Sequence, residues 1–414
     1  MKKKEATISI VAIGSELLDG KTQDTNTKGI ITLLARGGYA VRRAVMVRDD
    51  AAEICRAFDD EFKKSTVIIT TGGLGPTFDD ITVRTIAGYA GKRCVFSKQG
   101  FAWMEAYFKG RAYRPRKRQA YIPAGARALR NYAGVAPGII VECNNGCVIA
   151  IPGVPHEMQH MMERSVLPYL REQYRRKPQT SLSIKTAGIG EPTVEREIKP
   201  IIKVHEDVAF GIYPKLGEVE VKAVISDVSA KRRSQKKKKL MAAFNRAVGD
   251  WIYGYDDDTV ETVLVSLLKK KKKTLSCAES CTGGLIGKTI TDVPGASAVF
   301  KGGCVVYANE AKETLLRVPH EIIQTKGAVS AEVAGYLAAN VRTLFQTDYG
   351  IAVTGIAGPG GGTKTKPVGL VWGALASSGG TRVFQWRFPG ARELVRIRTM
   401  KALLFELVKI VKMS

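Results

Sequence analysis

Between residues 8 and 170 short apolar runs alternate with segments whose apolar residues recur at helical spacing. This alternation restricts the fold more than any other feature of the chain. "ISIVAIG" reads as a buried strand, and "DTNTKGIITLLARGGY" as a helix with a capping Asp or Thr, ended at Gly37-Gly38. "VRRAVMV" and "TVIITTGG" read as strands, "AAEICRAFDDEFKK" and "DDITVRTIAGYAG" as helices. Strand–helix alternation builds an α/β, doubly wound and largely parallel sheet. Ligands on such sheets sit beyond the C-terminal strand ends, here residues 14–20 and 71–80.

Residues 180–255 have a different rhythm. "LSIKTAGIG", "EPTVEREIKPIIKV", "VAFGIYP", "EVEVKAVISD" and "KKLMAAFNRAVGDWIY" give a β-α-β-β-α order, expected as a small α+β domain. KH folds share this content, but their G-x-x-G clamp loop is absent. From residue 274 a third α/β segment begins with strand "TLSCAE" and ends in a helix opening at "ARELVRIR". The expected domains are 1–175, 176–256 and 257–414.

A length of 414 residues suits two or three domains. No apolar run approaches the ~18–20 residues of a membrane helix. The basic start "MKKKEATISIVAIG" turns apolar only over Ile8–Ile13 and lacks a small-residue cleavage site, so a cytoplasmic protein without membrane association is expected. Seven scattered cysteines suit reduced thiols, and Cys143/Cys147 has no second pair at zinc-site spacing. The net charge of +25 is concentrated in "KRRSQKKKK" (231–239) and "KKKKK" (269–273), without interleaved aromatics to stack on bases. These runs read as solvated helix starts and linkers, or as weak, salt-sensitive contacts to a nucleic-acid backbone.

Four stretches carry chemistry. "CTGGLIGKT" (281–289) is one residue out of register for a Walker A loop, because Thr282 stands where its first glycine belongs. Upstream, "SCAESCTGG" sets Ser280 between a strand and a helix, as a nucleophile in need of a base or as a helix cap. Only His320 falls in this segment, so a lysine is the available base, and "VVYANEAK" holds Tyr307 and Lys312. In "TTGGLGPTFDDIT", Gly72 and Gly73 allow close approach to a phosphate; Asp79 and Asp80 suit a hard divalent cation, or Asp80 caps a helix. Glu16 and Asp24 lie near another strand end. "PHEMQH" contains H-E-x-x-H, but Pro155 puts His156 in the first helical turn, and a chance pair with His160 is the better reading.

Taken in order, "GSELLDG", "DTNT", "TTGGLGPTFDDIT", "PAGA", "GVAPG" and "PGVPHEM" resemble the N-terminal domain of the CinA family, which is similar to molybdopterin-binding proteins of the MoaB/MogA type. "AESCTGG", "PGAS", "VVYANEAK", "GAVS", "TGIAGPGGGT" and "KPVG" resemble its C-terminal nicotinamide-nucleotide amidase domain, with a KH-like domain between. The resemblance spans nearly the whole chain. It implies deamidation of nicotinamide mononucleotide to nicotinate mononucleotide and ammonia, without a cofactor. Ser280 would attack the carboxamide, Lys312 would take its proton with support from Tyr307, and Ser297 would join the same hydrogen-bonded set. Thr354 and Arg392 would bind substrate, with Gly283 and Gly284 beside them and the 357–362 loop adding N–H donors. For the N-terminal domain it implies an ADP-ribose pyrophosphatase using a divalent metal such as Mg. There Glu16, Asp79 and Asp80 would be the ligands, or Asp24 in place of one, and Gly72, Gly73 and Thr77 would hold phosphate. Lys326 stands where the family has His, and Ala391 where it has Asp.

Two other functions fit parts of the chain. A competence-linked regulatory protein that senses ligands and touches DNA would use the positive charge. A molybdopterin-binding protein would use the N-terminal fold alone. Nucleotides are the expected small-molecule partners, and a homodimer the expected assembly.

Overall fold

In the computed structural model residues 4–109, 116–176, 178–227 and 229–413 are described. The chain divides into two compact units, one formed by residues 1–179 and 226–230, the other by residues 180–225 and 231–414.

The first unit is built on strands β1 (Ile8–Ile13), β2 (Val41–Val47), β3 (Val67–Thr71), β4 (Arg127–Leu129), β5 (Gly138–Cys143) and β6 (Gly146–Ile151), in spatial order β2-β1-β3-β6-β5-β4. The four strands from β2 to β6 run parallel; β5 and β4 are antiparallel additions. Alternate residues of β1 face opposite sides. Ile8 and Ile10 pack with Ile30 and Leu34 of helix α1 (Asn26–Gly37), while Val11 and Ile13 pack with Ile54 and Phe58 of α2 (Ala51–Phe62) and Ile86 of α3 (Thr82–Tyr89). Helices on both faces make the doubly wound arrangement expected from the sequence. Asp24 accepts from the Thr27 N–H and Asp50 from the Glu53 N–H, so each opens its helix from the side-chain side.

The second unit begins with β7 (Gln179–Ala187), α4 (Glu191–Val204), β8 (Val208–Lys215), β9 (Glu218–Ser226), α5 (Ala230–Val248) and β10 (Ile252–Tyr255). The sheet order is β8-β9-β7-β10. The sequence pattern extends the last helix through Tyr253. Instead the helix stops before Gly249, and Ile252–Tyr255 pairs antiparallel with β7. Glycine ends the helix and the β-favouring Ile-Tyr pair completes the sheet. One sheet face packs on Val194 and Ile198 of α4 and Leu240 and Phe244 of α5. On the 231–239 run, Lys236 and Lys237 pair with Asp207 and Asp256, while Lys231, Lys238 and Lys239 are exposed.

The remaining elements are α6 (Val260–Lys271), β11 (Leu275–Glu279), α7 (Leu285–Thr291), β12 (Phe300–Val305), α8 (Asn309–Leu316), α9 (His320–Lys326), α10 (Ala331–Leu344), β13 (Tyr349–Gly355), β14 (Leu370–Ser377), β15 (Gly380–Arg387) and α11 (Arg392–Met413). Their sheet has the order β12-β11-β13-β14-β15. The lysine run at 269–273 closes α6; it does not start a helix. Three of its lysines occupy the last turn, where unpaired carbonyls favour cations. Leu275 and Cys277 face the α6, α7 and α11 side, whereas Ala278 faces α10.

On the sheet of β7–β10, Glu220 lies between Lys185 (3.0 Å) and Lys215 (2.5 Å), with its side chain 15 % exposed. Burial alone would raise its pKa, but hydrogen bonds from Lys215 and Lys185 outweigh this and draw it down to about 2 from 4.5. A carboxylate with a depressed native pKa stabilises the fold above its unfolded pKa and loses that contribution as pH falls. Chemical denaturation followed between pH 6 and pH 2 is therefore expected to show a loss on the order of 2–3 kcal/mol below pH 4.5 that Glu220→Gln removes.

Candidate active site

In the C-terminal sheet the chain leaves β11 for β12 on one side, then returns across to β13 on the other. Strand order reverses between β11 and β13, and a crevice at such a switch point is where α/β sheets place ligands. Ser280 follows β11 directly, is 8 % exposed, and donates its N–H to Val353 O of β13 at 3.1 Å. Thr354 is one residue further along β13.

The preceding residue decides what this turn can bind. Glu279 is buried, and its carboxylate accepts the N–H groups of Gly284 (3.0 Å), Ile286 (3.0 Å) and Gly287 (2.8 Å). These are donors that a Walker loop would offer to phosphate. Here an internal carboxylate occupies them, so the resemblance of "CTGGLIGKT" to a phosphate cradle ends at the sequence. Gly283 and Gly284 have φ of +57° and +91°, which gives them a role in the turn. Their N–H groups go to Ser280 O and Glu279, not outward as donors to substrate.

Lys312 on α8 is 1 % exposed, and its Nζ donates to the carbonyls of Tyr307 (3.0 Å) and Ala308 (3.3 Å). Desolvation lowers its pKa from 10.5, opposed by the nearby Cys281 and Glu310. Burial pushes the Cys281 thiol up to about 11. Tyr307 follows β12, the strand beside β11, and is 59 % exposed. Its hydroxyl accepts from Arg392 Nη2 at 2.8 Å, while Arg392 Nη1 donates to Gly358 O at 2.8 Å. Tyr307, Arg392 and the glycine-rich loop thus form one rim. Ala391 leaves Arg392 oriented nonetheless, through these two partners. Thr354 is buried and donates its hydroxyl to Ala328 O at 2.7 Å. Lys326 lies 3.9 Å from Glu332.

Ser297 does not join this set within the chain. It is exposed in the turn Ala296–Ala298 that leads into β12, and β12 starts opposite Leu275, the first residue of β11. Ser280 follows the last residue of the same strand, so the two serines occupy opposite ends of a parallel pair.

In the first unit the strand order likewise reverses, between β1 and β3. A cavity of 510 Å³ opens there, lined by Glu16, Asp24, Asp49, Gly72, Gly73, Asp79 and Asp80 among others. Gly72 (φ +109°) has its Cα so close to β1 that a Cβ would lie 2.0 Å from Ile13 O; its N–H goes to Ile151 O. Strand packing, not access to phosphate, demands glycine there. Asp80 neither caps α3 nor stands free: it accepts the N–H groups of Gly75 and Thr77, both at 2.7 Å, and the Thr77 hydroxyl. Thr77 is spent on that loop and is not part of the cavity wall. Its hydroxyl also holds the Asp79 carboxyl below the usual range.

Among the described residues no three acidic, histidine or cysteine side chains converge to hold a metal ion. Asp24 Oδ2 is the one candidate ligand oxygen buried without a donor, and Asn26 Oδ1 beside it is also unpartnered. Glu16, Asp24, Asp79 and Asp80 share one cavity, in which the Asp80 oxygens also accept the N–H groups of Gly75 and Thr77. His156 contacts Ala133 O at 3.3 Å while His160 faces the Tyr132 ring, so the H-E-x-x-H pair is not a zinc site. Pro155 is at the start of the helix Pro155–Met161, as the sequence implies.

Sequence reasoning passed over Glu279, Arg396, Asp49 and Glu157. Arg396 donates to Thr282 O at 2.7 Å and braces the Ser280 turn. Asp49 accepts from the Ser15 N–H at 2.8 Å, and Glu157 from Asn131 at 2.6 Å. Glu279 had a visible signal: an acid ending an otherwise apolar strand, five residues before a glycine at a helix start.

Comparison with known proteins agrees with this organisation. Residues 257–411 match the CinA C-terminal domain, 9–172 a probable molybdopterin binding domain, and 181–254 the damage-inducible protein CinA KH domain. A relative from Caldicellulosiruptor bescii named for competence-damage induction is 39 % identical over 95 % of this chain and 97 % of its own. A "CinA-like protein" from Kosmotoga olearia is 38 % identical over 94 % and 95 %. A solved competence/damage inducible protein from Agrobacterium tumefaciens is 35 % identical, covering 37 % of this chain and 93 % of its own at a TM-score of 0.36. With this extent of identity across all three segments, the chain belongs to the CinA family.

Proposed function

We propose that the C-terminal site hydrolyses the carboxamide of nicotinamide mononucleotide, giving nicotinate mononucleotide and ammonia. The observation that carries this reading is a buried lysine with a lowered pKa one strand away from a buried serine at a sheet switch point. A neutral amine has two N–H donors and one lone pair. The two carbonyls of Tyr307 and Ala308 match two donors, which leaves the lone pair of Lys312 for the serine proton.

In the proposed sequence Ser280 Oγ bonds to the carboxamide carbon as its proton passes to Lys312. The tetrahedral intermediate expels ammonia, which takes that proton back. Water, deprotonated by Lys312, then attacks the acyl ester and regenerates Ser280. Arg392, steadied by Gly358 and Tyr307, offers its remaining N–H groups to the 5′-phosphate. No step uses a metal.

For the N-terminal cavity we propose nucleotide binding, with ADP-ribose the ligand and pyrophosphate cleavage the reaction that the family likeness suggests. Its support is the pair of buried acceptors Asp24 Oδ2 and Asn26 Oδ1, which require donors such as ribose hydroxyls. A molybdopterin is the competing occupant. Titration of both with and without Mg separates the two: ADP-ribose binding that Asp24→Asn weakens supports the proposal, and pterin binding alone overturns it.

Ser280→Ala is expected to lower ammonia release from nicotinamide mononucleotide by at least about 10³-fold. Unchanged release would end the serine proposal. Because Lys312 must be neutral to act, kcat/KM is expected to rise with pH along a limb set by a pKa below 10.5, and Lys312→Arg to abolish that limb. A flat profile from pH 6 to 10 would remove Lys312 as the base.

A further inference from the structure

A second cavity of the first unit, of 230 Å³, lies between the β4 edge strand and the helix after residue 161. Its walls include Arg127, Arg130, Arg164, Ser165, Tyr169 and Glu172, none of which lines the 510 Å³ cavity. Positions 164, 165, 168, 169 and 172 share one helical face. Met162–Val166 forms a π-turn, which follows from Pro168: it has no N–H to give the preceding turn, so that turn widens.

The guanidinium groups here lie over aromatic rings. Arg130 lies 4.5 Å and Arg164 5.6 Å from the centre of the Tyr132 ring, and Arg127 lies 5.9 Å from that of Tyr169. Tyr169 is itself buried and fixed by its hydroxyl to Glu142 Oε1 at 3.1 Å. The single carboxylate on the wall, Glu172, approaches Arg127 only to 3.9 Å, with both side chains more than 60 % exposed, so it neutralises little. Among the described residues Arg130 and Arg164 have no carboxylate partner. Stacking orients a guanidinium while leaving its edge N–H groups free, and those edges match the paired oxygens of phosphate. The volume falls below the ~300–1,000 Å³ of pockets for drug-sized ligands, so the space suits a phosphate group and not a whole dinucleotide.

We propose that this arginine-walled cavity is a phosphate-binding site, separate from both sites described above, in which Arg130 and Arg164 clamp the anion and Arg127 completes the charge. The anion is inorganic phosphate or pyrophosphate, or the terminal phosphate of a nucleotide; the recognition chemistry is shared.

The test is calorimetric titration of the full chain at low ionic strength with orthophosphate, pyrophosphate and AMP. An Arg392→Gln background keeps the proposed amidase arginine from contributing. Saturable binding is expected, weakened at least 10-fold by Arg130→Gln with Arg164→Gln and several-fold by the charge-preserving Arg130→Lys with Arg164→Lys. Orthophosphate or pyrophosphate binding without AMP identifies the free anion, and tighter AMP binding identifies a nucleotide phosphate. No saturable binding, or equal affinity in the Gln variant with an unchanged far-UV circular dichroism spectrum, overturns the proposal.

Discussion

The Glu279 carboxylate is the interaction on which the C-terminal site depends. It is buried at the end of an apolar strand, a costly position for a charge, and three backbone N–H groups compensate it. The consequence is geometric as well as electrostatic. By binding the start of α7, Glu279 fixes the short turn between strand and helix, and Ser280 is the first residue of that turn. The same contact consumes the donors that would make this glycine loop a phosphate site. A phosphate cannot use those donors, and the Arg392 guanidinium is held apart from them, by Tyr307 and Gly358.

Both large sheets use the same topological device. In each, the central strand has its chain successor on one side and a later parallel strand on the other, which opens a crevice at the strand ends. What fills the crevice differs. The first unit lines it with carboxylates and with buried acceptors that have no donor. In the second, Ser280 follows β11, Thr354 lies near the end of β13, and Tyr307 beyond β12 is bonded to Arg392. The contrast lies in the loops, since the alternating apolar strands beneath are much alike.

Most strands and helices were legible because their apolar periodicity is strong and their ends carry caps: Asp50 before α2, Thr259 before α6 and Ser330 before α10 each accept a backbone N–H of their helix. The short strand Ile252–Tyr255 was not, since four residues cannot show a period against a neighbouring helix. Site residues were legible as a set but not in orientation. Asp80 illustrates the difference. An acid in a glycine-rich loop reads the same whether its oxygens face a ligand or its own backbone, and here they face Gly75 and Thr77. Ser297, which the family resemblance assigns to the serine and lysine set, stands before β12 at the end of the sheet opposite Ser280, a placement no motif states. Glu279 is visible as an acid at the end of an apolar strand, but not in its role, because its partners are backbone N–H groups, which every sequence has.

The bond between Tyr307 and Arg392 joins residues 85 positions apart, with Arg392 at the first turn of the last helix. Ser280, Lys312 and Thr354 all emerge from the ribosome earlier. A growing chain can thus assemble the serine and lysine portion of the sheet before the arginine exists. The rim closes only when α11 docks, and α11 also reaches back to the middle sheet, through Lys401 to Glu218 and Lys412 to the Ile252 carbonyl. One helix thus carries the arginine of the rim and also grips the middle sheet, so loosening α11 loosens both.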